Sequence, residues 1–152
     1  MSDLRSITRV LSRDICYRID ENSIEEIRIR VDRPVILKYP DGKEDMLEHI
    51  VTQSEILNIL QSLCNNSIYS YQSQICDGYI TLQGGHRVGI TGNVAMKEGK
   101  IINVNYVSSL NFRVAREIIG ASDSVLKEVL VNNEINNTLI VSKPRMWKNY
   151  CS

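Results

Sequence analysis

The sequence has no long apolar run and no excess of either charge. Its 152 residues include 18 Lys and Arg and 18 Asp and Glu, so the formal net charge is zero. Balanced charge argues against broad electrostatic attraction to nucleic acid or an anionic membrane, and we expect no nucleic-acid partner. No window approaches the roughly 20 apolar residues of a membrane span. Charges interrupt the apolar residues near the N-terminus, so we expect no signal peptide and a cytoplasmic location.

Metal-binding and dinucleotide-binding motifs are also missing. The four cysteines are widely spaced without a Cys-x-x-Cys pair, and the sequence has two histidines. These residues form no zinc pattern, so we expect reduced thiols and no bound metal. The glycines between Gly78 and Gly92 do not follow the Gly-x-Gly-x-x-Gly spacing before a helix, which excludes the dinucleotide-binding motif.

The periodicities that are present predict an α+β fold, with an antiparallel or mixed sheet and flanking helices. Apolar residues from Leu4 to Leu11 recur at helical spacing, and Thr52-Gln-Ser-Glu55 is a capping box that begins a second helix. We expect the second helix to turn five residues inward: Ile56, Leu57, Ile59, Leu60 and Leu63. A third helix is expected over about 67–76. Strands are expected over 24–31, 34–39 and 46–49, and in the first of them Ile27, Ile29 and Val31 alternate with Glu26, Arg28 and Arg30.

The central and C-terminal parts predict further strands and one more helix. Strands are expected over 78–82, 87–95, 100–104 and 109–115, separated in part by glycine turns. A helix then begins at Arg116 or Glu117 and runs to Val131. The polar stretch 132–137 is a predicted linker, so residues 1–131 form one predicted domain.

The segment Gly84-Gly85-His86-Arg87 is the first candidate site. One interpretation is a hairpin turn in which Gly84 and Gly85 supply positive φ, while His86 and Arg87 point into solvent. The other interpretation is a loop that faces a ligand or another subunit. The sequence leaves both open.

The C-terminal segment has the pattern of the start of a phosphate-binding loop. Residues 138–141 form a short apolar run of the kind found in buried strands. A proline-containing loop follows, made of Ser142, Lys143, Pro144 and Arg145. The loop lacks its usual ending, since Trp147 stands where it needs glycine and Asn149 where it needs Thr or Ser.

The genetic code offers a reason for this departure. Met and Trp have one codon each, so residues 146–151 are encoded by ATG TGG AAR AAY TAY TGY. Read one base later, this becomes Cys-Gly-(Lys/Arg)-(Thr/Ile)-(Thr/Ile)-(Val/Ala), which includes the Cys-Gly-Lys-Thr-Thr of a Walker A loop. We therefore expect residues 146–152 to be an out-of-frame tail. The alternative is coincidence, because the Lys and Thr codons are allowed but not forced.

Five stretches of the sequence together carry a recognisable pattern: 24–30 with Arg33-Pro34, 66–71, 77–92, 108–117 and 137–142. The most specific part is Gly-Tyr-Ile-Thr-Leu-Gln-Gly-Gly-His-Arg-Val-Gly-Ile-Thr-Gly, from Gly78 to Gly92. In these stretches the sequence resembles one family, the stage III sporulation protein AA ATPases of endospore-forming bacteria.

The resemblance implies that the chain is one part of a larger ATPase. Family members continue from the last strand through Cys-Gly-Lys-Thr-Thr into a RecA-like core, and they are similar to hexameric secretion ATPases of the type II and type IV kind. The chain would then be the N-terminal assembly and interaction domain, with 138–145 as the first strand and loop start of a truncated core. ATP and Mg²⁺ serve the intact family. We expect no cofactor and no ATPase activity in this chain.

The resemblance also implies partners and a location. The chain is expected to be a homo-oligomer, with a hexamer in the intact family. Its expected partners are membrane-anchored sporulation channel proteins, and its expected location is the mother-cell cytoplasm, at the membrane that faces the forespore.

The second candidate site consists of Asn111, Arg113 and Arg116. Pattern alone suggests solvated charges on a strand and at a helix start. In related secretion ATPases, however, arginines of this domain and its linker reach bound nucleotide, and a guanidinium suits phosphate. The resemblance therefore makes these three residues, together with 84–87, nucleotide-facing or interface residues. It also makes 142–145 a remnant of the nucleotide-binding loop.

A different class of function stays open at this point. A stand-alone nucleic-acid-binding module would use the strand-rich centre, with Tyr79, His86 and Arg87 as a surface for stacking and for phosphate contacts.

Overall fold

Six strands form one antiparallel sheet in the first of two compact units, which are residues 1–115 and 116–152. The structure is a computed structural model, and it describes residues 4–116, 120, 125–126, 129–131, 134–135, 137 and 139. In chain order the first unit contains α1 (Arg5–Thr8), α2 (Arg13–Cys16), β1 (Glu26–Arg30), β2 (Pro34–Lys38), β3 (Glu44–Ile50), α3 (Gln53–Leu63), a 3₁₀ turn (Ile68–Tyr71), α4 (Gln72–Cys76), β4 (Tyr79–Thr81), β5 (Arg87–Lys97) and β6 (Lys100–Arg113).

The strand order of the sheet is β3-β2-β1-β6-β5-β4, so β1 and β6 meet at its centre. Side chains alternate between the two faces of each strand. One cross-strand row is apolar over five strands and fully buried: Leu37, Ile27, Phe112, Val88 and Ile80. The α+β prediction is confirmed, and the sheet is antiparallel throughout.

The helices cover this apolar face. Each helix contributes a buried isoleucine to the same core cluster as the apolar row: Ile7 from α1, Ile15 from α2, Ile56 from α3 and Ile75 from α4. The opposite side of the sheet is therefore turned away from these helices. We call that side the polar face, and it carries Glu26, Arg28, Tyr79, Arg87, Asn111 and Arg113.

The predicted first helix is two short helices. Ser12, between α1 and α2, has an extended backbone with φ −64° and ψ 152°, which interrupts the helical run. Leu4, Ile7 and Leu11 are nevertheless buried, so the spacing correctly predicted the inward side chains.

The capping box at the start of α3 is confirmed. The Glu55 backbone N–H donates to Thr52 Oγ1 at 3.3 Å, and the Thr52 N–H donates to Glu55 Oε2 at 2.7 Å. Leu57 was predicted to face inward, but it is exposed because it lies one residue off the buried stripe of this helix. The helix ends where Asn65 and Asn66 adopt positive φ. The predicted third helix is the 3₁₀ turn followed by α4.

Two predicted strands, 100–104 and 109–115, are a single 14-residue strand, β6. Residues 105–108, between the two predicted strands, belong to the same strand, because the pairing of β6 with β5 continues through three register shifts. At one of these shifts, a Cβ on Gly92 would lie 1.9 Å from the Tyr106 carbonyl oxygen. Only glycine fits there.

The second unit contains a short antiparallel pair, β7 (Leu130–Val131) with β8 (Glu134–Ile135). The prediction that a helix runs to Val131 is therefore wrong at its end, and the predicted linker contains a strand. Apolar and β-branched residues favour this pairing over a helical end. Most of the predicted strand and loop at 138–145 lies outside the described residues, and within it only Leu139 is described, with an exposed side chain.

Candidate functional site

Two arginines predicted from separate motifs are direct neighbours on the polar face. Arg113 near the end of β6 is the cross-strand partner of Arg87 at the start of β5, and both side chains are exposed. Like charges directly opposite each other destabilise a sheet unless something neutralises them. Among the described residues, neither guanidinium has an acidic side chain within ion-pair distance. The pair is therefore suited to receive an anion from outside the unit.

Arg87 is held in place by an aromatic ring. Its guanidinium lies over the ring of Tyr79, 5.3 Å from the ring centroid. This contact fixes the stem of Arg87 and leaves its N–H groups available, because a cation–π contact uses the face of the ring and not the donors.

The other neighbour of Arg113 is acidic but already bound. Glu26 is its cross-strand partner on β1. The Glu26 carboxylate accepts two hydrogen bonds from Arg28, each 3.2 Å long, and Arg28 also bonds Glu44 at 3.2 Å. Glu26 is therefore paired within its own strand, and Arg28 also reaches Glu44 on β3. Because Arg28 neutralises the Glu26 carboxylate, that carboxylate does not neutralise the charge of Arg113.

The pKa of Glu26 depends on two opposing effects, its burial and its hydrogen bonds. Burial raises the pKa, but hydrogen bonds from Arg28 and Asn111 outweigh burial and hold the pKa below its ordinary value. The same contact with Glu26 raises the pKa of Arg28.

Asn111 lies on the polar face of β6, two residues before Arg113. Its cross-strand partners are Arg28 on β1 and Gly89 on β5. Its side-chain oxygen is buried and has no hydrogen-bond partner among the described residues. A buried acceptor without a partner costs free energy, so this oxygen is an unsatisfied group on the polar face.

His86 does not point into solvent, contrary to the hairpin interpretation. Its side chain is completely buried, and its Nδ1 accepts a hydrogen bond from the Ala115 N–H at 3.0 Å. The ring therefore ties the glycine turn to the chain two residues beyond Arg113. The rest of that interpretation is correct, since Gly84 and Gly85 have φ of +88° and +79°, and Arg87 is exposed.

The buried ring of His86 also argues against the nucleic-acid alternative. Base stacking needs an accessible aromatic surface. His86 offers none, whereas Tyr79 keeps 40% of its surface exposed beside the Arg87 guanidinium.

The remaining predicted residues are Arg116 and the segment 142–145. Arg116 begins the second unit and has an exposed side chain. Ser142, Lys143, Pro144 and Arg145 lie outside the described residues. Among the residues that the structure describes, no group of His, Cys, Asp and Glu is arranged to hold a metal.

Sequence reasoning missed how these residues come together. The alternation at Glu26, Arg28 and Arg30 was visible, but the pairing of β1 with β6 joins residues about 80 positions apart, and no local pattern encodes it. The same holds for Glu44, which reaches Arg28 from the sheet's edge strand.

No helix in the described part of the chain is long and apolar enough to cross a bilayer.

Fold and site together define an α+β domain with one face of its sheet under helices and a cationic, open second face. The chain matches the family model described as "Sporulation stage III, protein AA" over residues 3–151, and it belongs to this family. A similar curated protein is stage III sporulation protein AA of Bacillus subtilis (strain 168), 36% identical over 125 residues. The match covers 82% of this chain and 40% of that protein.

Among solved structures, the chain is similar to the VirB11 ATPase from the Brucella suis type IV secretion system, crystallised with sulphate. The TM-score is 0.43 and the sequence identity 11%, over 91% of this chain and 40% of that chain.

Proposed function

We propose that the chain is the assembly and interaction domain of a sporulation ATPase, and that its polar face meets the phosphates of nucleotide held by an ATPase core. The observation that supports this best is the Arg87–Arg113 pair, two exposed guanidiniums on adjacent strands without an acidic partner among the described residues. Phosphate oxygens match the donor geometry of guanidinium groups.

The neighbours of the pair support the same role. Asn111 lies on the same face, two residues from Arg113, and adds a polar side chain beside the pair. His86 and Tyr79 position the two arginines without competing for their donors. Hydrolysis itself requires Mg²⁺ and catalytic groups beyond this face, so it belongs to the proposal for the whole protein.

In this proposal the whole protein forms an oligomer, a hexamer as in the family the chain resembles. It works in the mother-cell cytoplasm beside membrane-anchored channel proteins. Binding of ATP would order the subunits, with domains of this kind moving against their cores.

The test is a titration of the 152-residue chain with Mg-ATP, and separately with inorganic triphosphate, followed by NMR of backbone amides. We expect weak binding with shifts at 87–89 and 111–113. Arg113→Ala should weaken it by about tenfold, or about 1.4 kcal/mol.

The matched control is Arg18→Ala, because Arg18 is also exposed but lies in the turn after α2 and not in the sheet. Its affinity should equal that of the unaltered chain. An absence of shifts on β5 and β6 at millimolar ligand, or equal losses in the two variants, contradicts the proposed role.

A further inference from the structure

A carboxylate able to neutralise the proposed phosphate site lies directly beside it. Glu26 on β1 is the cross-strand partner of Arg113 on β6. The Val114 N–H donates to the Glu25 oxygen at 2.9 Å, which makes that neighbouring pair a hydrogen-bonded one. Because pairs alternate along an antiparallel ladder, Glu26 and Arg113 form a non-hydrogen-bonded pair, the kind whose side chains lie closer together. Opposite charges at such a position are expected to form an ion pair.

That ion pair is not formed, because Glu26 is bound to Arg28 instead. Among the described residues, no ion pair joins Glu26 to Arg113. The Arg28 Nε donates to Glu26 Oε1 and its Nη2 donates to Glu26 Oε2, each at 3.2 Å. Both carboxylate oxygens are therefore engaged by one guanidinium, in the bidentate arrangement that is among the strongest for such a pair.

A second carboxylate anchors Arg28 from the other side. The Arg28 Nη1 donates to Glu44 Oε1 on β3 at 3.2 Å. In the sheet, β3 and β6 lie on opposite sides of β1. The contact with Glu44 therefore draws the Arg28 guanidinium to the side of β1 that is away from Arg113, and the Glu26 carboxylate is held with it.

The position of Glu26 between two other cations shows how selective this pairing is. Its cross-strand partners are Arg113 on β6 and Lys38 on β2. In the part of the chain that the structure describes, neither of these two cations hydrogen-bonds to Glu26. Only 13% of the Glu26 side chain is exposed, so the carboxylate has little solvent to turn to if Arg28 is removed.

We propose that Arg28 is a positioning residue of the phosphate site, which holds both oxygens of Glu26 and so prevents this carboxylate from occupying Arg113 in place of a phosphate. Arg28 does not touch the ligand and acts through Glu26 alone. Without Arg28, the carboxylate is released beside Arg113 and competes with phosphate for the same N–H donors. Because the competitor is part of the chain, its effective concentration at Arg113 is high.

Arg28 has this role only if the polar face binds phosphate, so the assignment rests on the proposed function and adds to it what keeps Arg113 available. Two variants distinguish the role from a general effect of charge. Loss of Arg28 should weaken the site, and loss of the Glu26 charge in the same chain should restore it, although the second substitution adds no donor for phosphate.

The first experiment is the titration with inorganic triphosphate, followed at the amides of 87–89 and 111–113, on the unaltered chain, Arg28→Ala, Glu26→Gln and the double variant. Arg28→Ala should weaken binding about threefold to fivefold, the loss expected when a surface ion pair must be broken first. Glu26→Gln should bind at least as tightly as the unaltered chain. The double variant should bind like Glu26→Gln.

Lys38→Ala is the matched control. It removes one positive charge from the other cross-strand neighbour of Glu26 and breaks no printed contact of the Arg28 fork. It should change the affinity by less than about twofold, since solvent and salt screen separated charges. Circular dichroism checks that each variant keeps its fold. Equal weakening in Lys38→Ala and Arg28→Ala, or a double variant as weak as Arg28→Ala, overturns the positioning role.

A second experiment needs no ligand and follows the pKa of Glu26 by NMR of its side-chain carboxyl carbon. Arg113→Ala should leave this pKa almost unchanged when Arg28 is present. In the Arg28→Ala chain, the same substitution should raise it, because Arg113 has become the partner that stabilises the charged carboxylate. Equal responses in the two chains overturn the inference. Failure of the unaltered chain to bind triphosphate, with the exchange of partners still observed, overturns the proposed function instead.

Discussion

Phe112 and Arg113 are adjacent residues of one strand in opposite environments. Phe112 lies in the centre of an apolar row that crosses five strands, and its side chain is fully buried. Arg113 faces away from the helices, opposite another arginine and beside a glutamate that a third arginine has already bound. The apolar face has its partners within the chain, whereas the polar face keeps unsatisfied groups. Buried packing is concentrated on one side of the sheet, and the proposed binding surface lies on the other.

The largest expected effect is on the apolar face. Phe112→Ala should lower the free energy of unfolding by about 3–5 kcal/mol, because it removes a buried ring from the centre of the core. Arg113→Ala, one residue away, should change it by less than about 0.5 kcal/mol. Urea unfolding followed by circular dichroism measures both. Similar losses in the two variants would show that the faces do not differ in this way.

An intermediate effect on stability is expected at His86, a buried residue next to the exposed Arg87. His86→Leu should cost about 1–3 kcal/mol, because it removes the acceptor of the Ala115 N–H from a buried site. Amide hydrogen exchange at Ala115 should accelerate in the same variant. Arg87→Leu is the control, since its exposed neighbouring side chain should leave that exchange rate unchanged. Unaltered protection of Ala115 in His86→Leu would mean that the bond contributes nothing.

The smallest effect is expected from the charges of the polar face. The folded-state pKa of Glu26 is lowered from its ordinary 4.5, so its contribution is present above pH 4.5 and is lost as pH falls through the lower, folded-state pKa. Glu26→Gln should therefore be less stable than the unaltered chain near pH 7, by less than about 1 kcal/mol for a surface pair. The two unfolding curves should converge in acid. A difference that persists at the lowest pH would assign the effect to something other than the charge.

Local patterns predicted the elements better than their assembly. The Thr52 capping box, the alternation of β1 and the glycine turn at 84–85 depend on residues within a few positions of one another, and all three are confirmed. The interrupted first helix and the unbroken β6 were missed because extended backbone at Ser12 and bulge pairing with β5 are decided by tertiary contacts. Burial of His86 was missed because its partner, Ala115, is distant in sequence.

The strand order of the sheet has a consequence for synthesis on the ribosome. The sheet consists of two local meanders, β1-β2-β3 and β4-β5-β6, joined only by the pairing of β1 with β6. Translation finishes the first meander long before Lys100 begins β6, so the central edge of β1, with Ile27 and Ile29, must wait unpaired while the intervening segment is made. The nascent chain therefore depends on rapid completion of β6, or on a chaperone that covers β1, to avoid pairing with a neighbouring nascent chain instead.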